Sequence, residues 1–117
     1  MVTNNFISKI NISYIKISFY LALLFFLRID LVFVNNTPTG GDMGAHVAAV
    51  DYFVRNLFPQ FKIMGWTNMW FAGIPLFYFY FPFPPFLVAL LTIFFPFGIA
   101  FKIMVVGSII LVVYGFD

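Results

Sequence analysis

Asp42 and His46 stand one helical turn apart in the stretch Thr37-Pro38-Thr39-Gly40-Gly41-Asp42-Met43-Gly44-Ala45-His46. That spacing puts a carboxylate and an imidazole on one flank of a helix. A carboxylate at a helix mouth can accept from the free backbone N–H groups of the first turn. Held at a membrane surface, it can instead take a proton from a hydroxyl. The two roles are compatible, and the residues alone leave both open. Asp51 and Arg55 repeat the one-turn spacing on nearly the opposite flank, where a helical ion pair is expected. Arg28 and Asp30 are two residues apart, which puts them on different faces of a helix and makes a mutual pair unexpected. Arg28 then either snorkels to a membrane interface or faces a water-filled cavity and meets an anion such as phosphate. One His, four Asp, no Glu and no Cys exclude a disulfide and any self-contained zinc site of the common kinds.

The elements that must position these groups follow from the neighbouring residues. Pro38, Gly40 and Gly41 signal a turn that hands the chain to a helix with Asp42 at its mouth. Met43, Val47, Val50, Val54 and Leu57 fall three and four apart, which predicts an amphipathic helix over 43–57. Its apolar stripe belongs on a membrane surface or against other helices. Beyond it, Gly65, Asn68, Gly73 and Pro75 punctuate a stretch carrying Trp66 and Trp70, which would share one side of any helical turn. Phe77 to Phe86 is aromatic and proline-rich. It is either an interfacial belt at headgroup level or a wall for a sugar ring or an isoprenoid tail.

The chain has 117 residues, 63% hydrophobic, 23% aromatic and 9% charged, with a mean hydropathy of +1.04. A soluble domain is about a quarter charged, and a chain this small cannot hide nineteen phenylalanines. The composition therefore implies an all-α integral membrane protein with about three transmembrane helices and an interfacial helix in its outer loop. The predicted layout is a cytoplasmic tail over 1–13, a span over 14–34, an outer loop over 35–81, and further spans over 82–97 and 99–116. Leu27-Arg28-Ile29-Asp30 occupies the place of a signal-peptide cleavage site, so the first span reads as a signal anchor. Pro84 and Pro85 predict a helix start near Pro85, and Pro96-Phe97-Gly98 predicts a tight turn between the last two spans. Lys9, Lys16 and Lys102 are expected in the cytoplasm of a multi-pass inner-membrane protein, with Arg55 and Lys62 outside. The six basic residues are scattered, which excludes a nucleic-acid patch.

Gly40-Gly41-Asp42-Met43-Gly44-Ala45-His46, then Gly65-Trp66-Thr67-Asn68-Met69-Trp70-Phe71-Ala72-Gly73-Ile74-Pro75, then aromatics and Pro84-Pro85, resemble a family of bacterial polytopic membrane proteins. These carry the label 6-pyruvoyl-tetrahydropterin synthase-related domain. The likeness covers residues 15 to 117 and only the amino-terminal end of such proteins. Pterin chemistry does not come with the label, because the histidine cluster of a pterin synthase is missing here. The layout is also similar to the GT-C membrane glycosyltransferases, whose first outer loop carries an essential acid beside a membrane-surface helix. By that resemblance Asp42 is the candidate catalytic base or metal-binding acid, and His46, Trp66 and Trp70 are substrate-binding candidates in the pocket wall; Arg28 joins them as the anion contact read above. The partners it implies are the lipid bilayer, a polyprenyl-phosphate sugar and the rest of a longer polytopic chain. It implies no cofactor in these residues, and a divalent metal only in a full-length parent. The alternative is a small non-catalytic membrane protein or subunit that uses the amphipathic helix for interactions.

Overall fold

The computed structural model describes the backbone of residues 3–70 and 72–115, and the side chains of 14–70 and 72–115. The chain divides into two compact units, Met1–Phe33 and Val34–Asp117. It is predominantly helical.

The first unit is built on α1, Thr3–Phe26. The helix begins inside the stretch expected to be a polar tail. It also stops well before residue 34, because Arg28 adopts the left-handed conformation (φ 47°, ψ 58°) and a 3₁₀ turn, Ile29–Leu31, follows. A left-handed residue just past the last turn is a common way to end a helix, although glycine usually takes the position. Phe19, Leu21, Phe25 and Phe26 are exposed on α1. The apolar part with described side chains, Tyr14–Phe26, is short for a crossing.

The second unit opens on a turn with positive φ at Gly40 and Gly41. Helix α2, Met43–Tyr52, continues into a π-helical turn, Phe53–Leu57, so the expected helix over 43–57 is present. A 3₁₀ turn, Phe58–Gln60, ends it, with Phe61 left-handed. Strands β1, Gly65–Thr67, and β2, Ile74–Leu76, form an antiparallel hairpin with Trp66 opposite Pro75. Helix α3, Phe83–Leu91, starts with prolines in its first turn, as Pro84-Pro85 implies. A turn over 92–96 reverses the chain into α4, Phe97–Gly115.

The apolar stripe of α2 meets other helices. Val50, Val88, Ala100 and Phe101 form one buried cluster, with Met43, Val47 and Val54 packed against it. Phe53, Leu57, Leu76, Phe77 and Ala89 form a second, which ties the π-helical turn to the hairpin and to α3. Burial on α4 is confined to Gly98, Ala100 and Phe101 in its first turns, whereas Leu111, Val112 and Tyr114 are exposed.

Among the described residues α4 is the one helix long and apolar enough to cross a membrane. Helix α3 has nine residues, about 13.5 Å at ~1.5 Å per residue, less than half of a ~30 Å hydrocarbon layer. The expected placement of Lys102 and Asn36 on opposite membrane faces is overturned. Lys102 Nζ donates to Asn36 Oδ1 at 2.8 Å and to the carbonyl of Val34. Two groups in a hydrogen bond share one depth.

Candidate functional site

Helix α2 sets Asp42 at its N-cap position, where the Asp42 carbonyl accepts from the backbone N–H groups of Ala45 (3.0 Å) and His46 (3.3 Å). The side chain makes no capping hydrogen bond. The reason lies in the backbone. A capping residue is normally extended, whereas Asp42 has φ −81° and ψ 0°, which is not the capping conformation. Asp42 and His46 are both exposed on one flank of the helix mouth. Among the described residues no group of three His, Asp, Glu or Cys side chains gathers into a metal-binding set. Asp42 and His46 supply two such groups at this helix mouth, and no step is assigned to a metal.

Asp51 and Arg55 pair as their spacing predicts, with Arg55 Nε donating to Asp51 Oδ1 at 2.7 Å. That hydrogen bond, and then the carboxylate charge, raise the Arg55 pKa further, so the guanidinium stays protonated. Arg55 borders an open depression of about 400 Å³, whose rim also includes Asn35, Asn36, Thr37 and Gly98. Asp42 and His46 are not among its walls.

Arg28 and Asp30 do pair, contrary to expectation. Arg28 Nε donates to Asp30 Oδ1 at 3.0 Å and Arg28 Nη2 to Asp30 Oδ2 at 2.8 Å, a two-pronged contact. The face argument assumes helical backbone at both residues. The left-handed Arg28 and the 3₁₀ turn after it rotate the two side chains to the same side.

The tryptophans belong to a hairpin and its loop, so they share no helical face. Trp66 is on β1, where its carbonyl accepts from Tyr52 Oη at 3.0 Å and its Nε1 donates to Asn68 Oδ1 at 3.0 Å. Its indole lies against Gly73, where a Cβ would fall 2.4 Å from Nε1. Trp70 is half-buried in the loop, and its carbonyl accepts from the Gly73 N–H at 2.7 Å. Tyr52, which anchors Trp66, is ten residues along the helix from Asp42, about 15 Å at ~1.5 Å per residue.

Sequence reasoning missed the contact between Asn36 and Lys102. The two meet across Gly98, which gives no sequence signal that sets it apart from Gly107 in the same helix. A Cβ on Gly98 would lie 2.5 Å from the Asn36 carbonyl oxygen.

Comparison with protein families, with curated proteins and with solved structures returned no match for this chain.

Proposed function

We propose that this chain is the amino-terminal portion of a multi-pass, GT-C-like membrane glycosyltransferase of the inner membrane, with the loop over 35–81 on the outer face. The observation that carries the reading is Asp42, an exposed carboxylate at a helix mouth that is not used in capping. A polyprenyl-phosphate sugar is the donor. The acceptor hydroxyl passes its proton to the Asp42 carboxylate as its oxygen bonds to the anomeric carbon. The bond from that carbon to the phosphate oxygen breaks, and the lipid phosphate leaves with the electron pair. His46 flanks the acid. Arg28, Trp66 and Trp70 remain candidates for phosphate and sugar contacts made with the rest of a longer chain.

The test is transfer of labelled sugar from a polyprenyl-phosphate donor in membranes containing the whole protein. Asp42→Asn is expected to abolish transfer with insertion unchanged, and Asp51→Asn to leave most of it. Wild-type transfer by Asp42→Asn would remove the catalytic role. A second reading, a non-catalytic membrane subunit, is favoured by one observation: the depression beside Arg55 is walled by neither Asp42 nor His46.

A further inference from the structure

The segment Val34–Asn36 lies along one face of the start of α4. Gly98 and Lys102 are four residues apart on that face. A Cβ at Gly98 would lie 2.5 Å from the Asn36 carbonyl oxygen, and the Lys102 ammonium bonds both Asn36 and the Val34 carbonyl. The residues just before the long loop therefore sit at the same depth as the first turns of α4.

Helix α3 is held at that depth as well. Val88 packs with Val50, Ala100 and Phe101, Ala89 packs with Phe53 and Leu57, and the rings of Phe58 and Phe86 meet edge to face at 5.9 Å. The π-helical turn Phe53–Leu57, at the end of the helix that begins at Met43, thus packs against α3. That same helix carries the Asp51–Arg55 pair, Asp42 and His46 toward solvent. Were α3 a span, the Asp51–Arg55 pair at that turn would be carried into hydrocarbon beside it, where charged groups are rare and face a cavity or one another. Helix α3 is also too short to cross.

Resting on the membrane reading above, we infer that Asn36 and the α3–α4 turn lie on one face of the membrane, that α3 does not cross it, and that α4 enters the bilayer alone from that face. Between Phe97 and Lys102 α4 rises about 7.5 Å, close to the ~5–7 Å of one headgroup layer. Lys102 is then at the interface, and the uncovered Leu111, Val112 and Tyr114 are beyond it in lipid. Of the two crossings expected over 82–97 and 99–116, α4 alone remains.

Single cysteines test this directly, because the chain has none of its own. Asn35→Cys and Phe94→Cys, both at exposed positions, are labelled with a membrane-impermeant maleimide before and after permeabilisation. Asn56→Cys and Pro96→Cys form a second pair in case a first variant fails to insert. The expected result is matching sidedness within each pair, in a chain that resists alkaline carbonate extraction. Opposite sidedness in a carbonate-resistant chain overturns this inference alone, as does a position that stays unlabelled after permeabilisation. Release by carbonate overturns the membrane reading together with it.

Discussion

The rings of Phe53 and Phe77 meet edge to face, with centroids 5.4 Å apart and planes at 88°. Phe53 is 1% exposed and Phe77 is buried beside it. Phe53 opens the π-helical turn that follows Tyr52. It is three residues after Val50 and four before Leu57, so helical spacing sets it beside the packed stripe. Phe53→Ala should therefore destabilise the second unit by about 3–5 kcal/mol, the range for deleting a buried aromatic side chain. The same change at Phe61, 98% exposed, should cost under about 0.5 kcal/mol. Thermal unfolding of the detergent-solubilised protein, followed by circular dichroism, separates the two.

Gly98 and Gly107 are both within α4 and should respond oppositely to alanine. At Gly98 the new methyl group meets the Asn36 backbone, at 2.5 Å from O and 2.9 Å from C, and a backbone cannot move aside as a side-chain tip can. Overpacking of this kind costs about 1–3 kcal/mol. At Gly107 nothing lies within 4 Å, and exchange of a helical Gly for Ala stabilises by up to about 1 kcal/mol. Gly98→Ala should lower the unfolding midpoint and Gly107→Ala should hold or raise it.

Gly73→Ala should disturb Trp66. Gly73 has φ 104°, a conformation that strains any L side chain, and its added Cβ would strike the indole at 2.4 to 2.8 Å. The hairpin must then open or the indole must swing off, breaking the bond from Nε1 to Asn68. The readout is tryptophan emission, expected to shift in Gly73→Ala and to stay in place in Gly44→Ala, where nothing lies within 4 Å.

Replacing Asp42 tests its role in the fold apart from chemistry. Loss of a bonded N-cap costs about 0.5–2 kcal/mol. The Asp42 side chain makes no such bond, so Asp42→Ala should leave the unfolding midpoint within about 2 °C of wild type, under half of the 4–8 °C per kcal/mol usual at this size. A fall matching a lost cap would show that the carboxylate turns inward to the helix in solution.

What the residues determined by themselves is local. The three-and-four spacing of Met43, Val47, Val50, Val54 and Leu57 sets a helix and its sticky face, because 3.6 residues per turn align those positions whatever lies opposite. Asp51 and Arg55 pair because one turn of that helix separates them, and Pro84-Pro85 opens α3 because proline suits only a first turn. The uncharged run from Ile63 to Phe101 makes α3 and the start of α4 apolar on every side. Tertiary structure decided what the sticky face meets. Spacing allows a bilayer or other helices, and only packing against Val88, Ala100 and Phe101 selects the helices. It also decided the Arg28–Asp30 pair, since a left-handed residue cancels the helical geometry from which the faces are counted. Lys102 and Asn36 are 66 residues apart, and no periodicity reaches that far. Their contact depends on a turn over 92–96 and on the missing side chain of Gly98, which lets one backbone lie against another.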